Sequence, residues 1–240
     1  MKILAVDSSG LVASIAVVED DNMIAEYTVN YKKTHSQTLL PMLEEICKMI
    51  ELDLDTIDAI AVAAGPGSFT GLRIGCATVK GLGLALNKPI VSVPTVDAIS
   101  YNLWGCDKLI CPMMDARREQ VYTGIYEFTK DASGRTVHNV IEQQCAVFVE
   151  EIIDKINGIG REVVFLGDGV PVYSDIIASK CKVRFELAPA HMARQRAGAL
   201  AVLAQEYYKA GKTETAAEHK PDYLRKSQAE REREEAMKNE

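Results

Sequence analysis

No two cysteines in this chain are spaced as C-x-x-C. The six of them, Cys47, Cys76, Cys106, Cys111, Cys145 and Cys181, are scattered, as are the four histidines, His35, His138, His191 and His219. Tetrahedral metal sites draw on clustered thiolates and imidazoles, so no metal ligand is assigned and a zinc site is not expected. The N-terminus lacks a long apolar run, because Asp7 interrupts MKILAV. No signal-peptide core is left. The most continuously apolar stretch, 74–86, contains Lys80 and is too short to cross a bilayer. These absences point to a cytosolic chain with reduced thiols and no membrane contact. Positive charge is also short. With a formal net charge of -7, the chain alone is a poor match for a phosphate backbone, and any nucleic-acid contact is expected to need another subunit.

Motifs of catalysis are missing as well. Neither H-E-x-x-H nor G-x-S-x-G occurs. The P-loop pattern fails because Leu72 follows Gly71, and Gly65-Pro66-Gly67 only superficially resembles the start of a dinucleotide fingerprint. His35 precedes a predicted helix without a carboxylate or serine partner in sequence. It is taken as structural, and no catalytic residue is assigned.

What is present is a globular composition. The chain has 240 residues, 48% apolar, enough for one large domain or two modest ones. Strands are expected at 2–6, 12–18 and 23–29, a helix at 36–51, a buried strand at 57–64, a helix at 71–86 and a strand at 90–93. The order then recurs. Strands at 109–114, 121–128 and 137–146 are followed by a helix at 147–157, a strand at 163–166, a strand at 183–187 and a long helix at 193–208. Asp7 and Asp115 fall at comparable places, each at the end of a first strand. This repetition predicts an α/β fold of two related lobes. The expected divisions are 1–105, 106–190, a C-terminal helix within 191–225 that packs back on the lobes, and a charged tail at 226–240, frayed or disordered.

Two helices carry unusual apolar surface. At about 100° per residue, Leu39, Leu43, Ile46 and Ile50 fall on one line. Leu40 and Cys47 flank it on one side, Met42 and Met49 on the other. In the second helix Leu72, Ile74, Cys76, Val79, Leu82, Leu84 and Leu86 point in nearly every direction. A helix that is apolar all round must be covered all round. Gly71, Gly75 and Gly83, with Val79 between, make a small-residue stripe, each internal glycine costing about 1 kcal/mol of helix propensity. Either the second lobe covers these helices, or they meet counterparts in another subunit through Leu39, Leu40, Met42, Leu43, Ile46, Cys47, Ile50, Gly71, Leu72, Gly75, Val79 and Leu82.

Three loops remain. DSSG at positions 7–10 places one carboxylate and two hydroxyls after a buried strand, able to orient phosphates or to satisfy its own backbone. AAGPGSFTGLR has the strand–loop–helix geometry that presents N–H groups to an anion, although a Ser68 or Thr70 helix cap explains it equally. LGDGVPVY either approaches a nucleotide closely or simply turns.

ILAVDSS, HSQTLLPMLEEI, AVAAGPGSFTGLRIGCATVKGLGLALNKPIVSVPTVDA, MDARREQVYTGIYE and PDYLR, in that order, resemble the TsaB (YeaZ-type) family over nearly the whole chain. The resemblance implies two ribonuclease-H-like lobes of the actin/sugar-kinase/Hsp70 (ASKHA) type. It implies a non-catalytic subunit that dimerises with the catalytic paralogue TsaD and helps recruit the ATPase TsaE. Together these install threonylcarbamoyl on N6 of the adenosine beside the anticodon of ANN-reading tRNAs. It also implies a homodimer in isolation, formed through the two helices, with tRNA contacted only within the complex. The metal-binding H-x-x-x-H of the catalytic paralogue corresponds here to Thr95 and Ile99. No cofactor is required. ATP or ADP binding stays open for Asp7, Ser8, Ser9, Gly167, Asp168 and Gly169. Two other readings stand beside this one: a stand-alone ATP-dependent small-molecule phosphotransferase using Asp7, and a metalloprotease, which would need bound zinc.

Overall fold

The computed structural model describes residues 1–31 and 34–225. The charged tail expected at 226–240 lies outside the described residues. In the first lobe β1 (Lys2–Asp7), β2 (Ala13–Glu19) and β3 (Asn22–Val29) form a meander. It is followed by α1 (His35–Met49), β4 (Ala59–Gly65), α2 (Phe69–Leu86) and β5 (Ile90–Pro94). A short helix, α3 (Thr95–Ser100), leads to β6 (Leu109–Asp115), β7 (Gln120–Lys130), β8 (Thr136–Phe148), α4 (Val149–Ile159) and β9 (Val163–Leu166). The chain ends through α5 (Gly169–Val172), α6 (Ser174–Lys180), β10 (Phe185–Leu187) and α7 (Ala197–Lys209).

The two five-stranded sheets have the same topology. One is ordered β3-β2-β1-β4-β5 and the other β8-β7-β6-β9-β10. In each, the second strand runs antiparallel to the first, and the fourth and fifth run parallel to it. This is the ribonuclease-H-like arrangement, present twice, and the duplication predicted from element order is real.

Both faces of the first sheet are covered. On one face α1 and α2 bury Leu39, Leu43, Ile46 and Val79 against Leu4, Val6, Ile15 and Ile60. On the other, α7 lays Ala197, Leu200, Ala201 and Ala204 on Ala5, Ala16, Ala59 and Ala61. Alanine on both sides lets that helix sit close to the strands. Continuous apolar strands such as β4 are the consequence of this two-sided burial. The second sheet buries α4 through Ile152, Ile153 and Ile156 on one face. On its other face Val96 and Ile99 of α3, with Leu103, meet Ile110, Met114 and Tyr126. Sequence pattern did not reveal α3: it is six residues long, and its β-branched Thr95, Val96 and Ile99 favour strand. It is held as a helix by packing, every residue of it being buried.

A polar cluster sits where the lobes join. Tyr126 donates its hydroxyl to Asp97 Oδ1 at 2.6 Å. The His138 ring stacks on Tyr126 at 5.2 Å, and its Nε2 lies 2.8 Å from Ser100 Oγ. Ser100 spends its own proton on the Asp97 carbonyl at 2.6 Å, so His138 is the donor to it. Burial lowers the His138 pKa from 6.5 to about 4, and burial raises that of Asp97.

The sign for His138 follows from proton counting. Between about pH 4 and 6.5 the unfolded chain binds the proton and the folded one does not, so stability falls as pH drops through that window. Asp97 acts oppositely, because its raised carboxyl holds a proton more tightly when folded. The difference between the wild type and His138→Gln isolates the histidine. In urea denaturation the wild type should lose up to about 3 kcal/mol more than the variant between pH 7 and pH 4. Equal losses in both proteins would contradict it.

Candidate functional site

The carboxyl ends of β1 and β4 carry the two loops singled out in the first half of the sequence. After β1, Asp7 Oδ1 accepts the Ser9 N–H at 2.9 Å and the Ser9 hydroxyl at 2.6 Å. Asp7 is 1% exposed, and burial pushes its carboxyl above the usual range. Ser8 donates its hydroxyl to the Gly71 carbonyl at 2.8 Å, and the Ser9 carbonyl accepts the Ser68 N–H at 2.6 Å. His35 Nε2 donates to the Gly10 carbonyl at 2.8 Å. The DSSG turn is thus tied to α1, to α2 and to the loop between β4 and α2.

That tie explains the glycines. A Cβ on Gly71 would overlap the Ser8 carbonyl oxygen, and one on Gly75 would stand 2.5 Å from Ser8 Oγ. Ser68 caps α2, its Oγ accepting the Gly71 N–H at 3.3 Å. The glycine-rich segment lets a helix approach a turn of its own chain, a need that requires no bound anion.

The second lobe repeats the device. Asp115 Oδ1 accepts the Arg117 N–H at 2.8 Å, the same two-residue Asx geometry as Asp7 with Ser9. Gly65, the last residue of β4, has φ +127° and Gly167, just after β9, has φ +110°, values that favour glycine. The two lobes diverge in solvation. Asp115 remains half-buried, accepts the Tyr173 hydroxyl at 2.8 Å and faces the space between the lobes. Asp168 Oδ1 accepts the Asp115 N–H at 3.3 Å, and burial raises the Asp168 pKa.

These strand ends border a cleft of about 760 Å³ between the lobes, lined by Ser9, Gly67 and Ser68 on one side and by Asp115 and Asp168 on the other. Arg194 lies along it, with Nη1 buried and without an acceptor among the described residues. Of the six positions named for a nucleotide, Ser9 and Asp168 reach the cleft lining. Asp7 and Ser8 lie beneath it, and Gly167 and Gly169 pack against the Met113 carbonyl. All six gather at one end of the two sheets, yet the polar groups among them are engaged with their own chain.

Sequence reasoning missed the C-terminal segment as part of this site. The Asp222 N–H donates to the Ala64 carbonyl at 2.7 Å, and the Asp222 carbonyl packs where Gly65 has no side chain. The Tyr223 ring lies 4.6 Å from Phe69, and Arg225 Nη1 donates to the Ala116 carbonyl at 2.7 Å. The only signal was a tyrosine and an arginine in PDYLR, between the last predicted helix and the charged tail.

The apolar residues of the two helices divide between buried and exposed. Leu39, Met42, Leu43 and Ile46 of α1 are buried in the chain's own core, as are Gly71, Leu72, Gly75 and Val79 of α2. Gly71 and Gly75 face the DSSG turn, and Gly83 faces Ala216, the Lys88 carbonyl and Ile90, all within the chain. Leu40 is 56% exposed, while Cys47, Ile50 and Leu82 are half-buried. Met49 and Leu84 are also exposed, at 76% and 68%, with Met49 on the side of α1 away from Leu40. An all-round apolar helix has no sequence signal for which side faces inward. Thr95 and Ile99 of α3 are also internal: Thr95 Oγ1 accepts the Gly65 N–H at 3.1 Å, and Ile99 sits in the apolar core. Among the described residues no cluster of three or more His, Cys, Asp or Glu side chains is placed to hold a metal ion, and no helix is long and apolar enough to cross a membrane.

Residues 22–233 match the family described as TsaD, tRNA N6-adenosine threonylcarbamoyltransferase. The chain is 33% identical over 232 residues to the tRNA threonylcarbamoyladenosine biosynthesis protein TsaB of Bacillus subtilis, covering 96% of each. It is 28% identical to the protein of that name from Escherichia coli, covering 95% of this chain and 96% of the relative. A solved structure of YeaZ from Pseudomonas aeruginosa superposes with a TM-score of 0.77 at 24% identity, over 93% of this chain and 99% of that one.

The contact between α2 and the DSSG turn is directly testable. Gly71→Ala gains about 1 kcal/mol of helix propensity but must displace a backbone oxygen, so a net loss of about 2 kcal/mol or more is expected in urea denaturation. Gly81 is exposed, and a Cβ added there would meet nothing within 4 Å. Gly81→Ala should therefore gain about 0.5–1 kcal/mol. Two variants of equal stability would refute the assignment of inner and outer faces.

Proposed function

Because the chain belongs to the TsaB (YeaZ-type) branch of the TsaD family, we propose that it is a non-catalytic subunit of the assembly that makes threonylcarbamoyladenosine in tRNA. In this reading it pairs with a TsaD-type catalytic subunit and helps recruit the TsaE ATPase. The assembly transfers threonylcarbamoyl to N6 of the adenosine beside the anticodon of ANN-reading tRNAs, in the cytosol. A homodimer forms when the chain is alone, and tRNA is met only within the complex.

The observation that carries this reading is the 33% identity to a TsaB protein over 96% of the chain. Leu40, Met49 and Leu84 stand at least half out of the chain, on two helices whose inner faces are already filled. These side chains offer apolar area that association with another protein would bury. The stand-alone phosphotransferase reading needs an accessible Asp7. Its carboxylate is enclosed and engaged by Ser9, which weighs against that chemistry.

The purified chain, mixed with TsaD-type and TsaE-type subunits, tRNA and threonylcarbamoyl-AMP, should restore transfer, and it should show none by itself. Full transfer in a mixture lacking this chain would overturn the proposal. Leu84→Glu and Leu40→Glu should weaken association with the TsaD-type subunit at least tenfold, about 1.4 kcal/mol, and leave the melting temperature unchanged. Undiminished association in the double variant, measured by calorimetry, would move the interface elsewhere.

A further inference from the structure

A second cavity, of about 360 Å³, lies apart from the cleft. It is lined by the turn joining β2 to β3, by the turn Tyr101–Leu103 that follows α3, and by α7. That helix covers the face of the first sheet opposite to α1 and α2. Met23, Trp104 and Val202 give the cavity apolar walls. Trp104 is the chain's single tryptophan and is 59% exposed. An indole ring left in water at a cavity wall offers its face to an apolar or cationic group. The volume is that of a small-ligand site, where apolar walls are combined with a few placed polar groups.

Most polar groups of this lining are already engaged. The Met1 ammonium pairs with Asp20 at 2.6 Å. Arg196 gives both Nε, at 3.2 Å, and Nη2, at 2.5 Å, to Glu26 Oε2. Gln205 donates to the Asp20 carbonyl at 2.9 Å. Two lining groups are left over. Asp21 is exposed and has no ion-pair partner among the described residues, so the uncompensated charge of the lining is negative. Asn102, 8% exposed, donates Nδ2 to the Met192 carbonyl at 2.9 Å and to the Arg194 carbonyl at 2.6 Å. Two acceptors at one end fix which end of the amide is nitrogen. Its Oδ1 is buried without a donor among the described residues. A buried acceptor left unpaired is costly, and an occupant bearing N–H groups would offset that cost.

We propose that this cavity binds a small organic cation, a primary amine with an apolar body. The body lies against Met23 and Val202, and the ammonium group is held by Asp21 and the Trp104 ring. Its N–H groups, directly or through a water, answer Asn102 Oδ1. An anion would meet the unpaired Asp21 carboxylate, and an uncharged apolar ligand would leave both Asp21 and Asn102 unanswered.

Because Trp104 is the single tryptophan, its emission reports this cavity in the full chain. Phenethylammonium should shift that emission to shorter wavelength, saturating at about 1 mM or below, the range open to a ligand of this size. The uncharged 2-phenylethanol should bind about tenfold more weakly, and phenylacetate should give no saturable shift. Asp21→Asn changes an exposed side chain without a contact to lose. It should weaken the amine about threefold or more, leave 2-phenylethanol unchanged and melt at the wild-type temperature. Calorimetry should return the same ranking. The site is on the far side of the first sheet from α1 and α2, so the result is independent of the association with a TsaD-type subunit. No saturable response to the amine overturns the proposal. So does equal affinity for amine and alcohol, or an amine affinity that Asp21→Asn leaves unchanged.

Discussion

The contact on which this structure turns is the approach of α2 to the end of β1. Ser8 offers its carbonyl to the place where Gly71 lacks a side chain and its hydroxyl to the Gly71 carbonyl. Gly75 admits the same serine one turn later. This seats the start of the helix over the strand end and brings Ser68 to the Ser9 carbonyl. The loop between β4 and α2 is placed by that seat, and with it one wall of the cleft and the footing of the C-terminal segment. Glycine in a helix interior is costly in propensity. Here the cost is offset by a backbone approach that no other residue permits.

The strand-end aspartates of the two lobes share one frame and differ in solvation. Asp7 and Asp115 end equivalent strands and accept an N–H two residues on in the same way. Gly65 at the end of β4 and Gly167 just after β9 have similar positive φ. Yet Asp7 is sealed under Ser9, while Asp115 faces the cleft and gathers Tyr173 and Arg117. The Asp7 carboxylate is enclosed and hydrogen-bonded within its own turn.

Surface and cleft thus have separate physical characters. The outward faces of α1 and α2 leave large apolar side chains in water beside helices already packed on their inner side. The cleft is polar, bordered by carboxylates and arginines, and crossed by the chain's own C-terminal segment. The assembly role proposed above would draw on these exposed side chains, since burial of apolar area drives association, and would ask nothing of the enclosed Asp7.

Much of this was legible in the linear order of residues. Strand, turn and helix periodicities are local, so the repeated order of elements, the strand ends at Asp7 and Asp115 and the two-lobed plan followed from neighbours within a dozen residues of each other. The helix boundaries held to within a few residues because Ser68 and Asn87 are local cap signals. The inward side of α2 was not legible, since apolar residues surround it and a wheel has no preferred face. Ser8, 63 positions away from Gly71, made that choice. The helical state of α3 came from burial on every side against the propensity of its β-branched residues, and the place of Tyr223 came from Phe69 and from Arg73, 150 positions earlier. Local pattern determines which elements exist. Which faces touch is decided by contacts between distant segments, because only closure of the chain reveals which neighbour fills each gap.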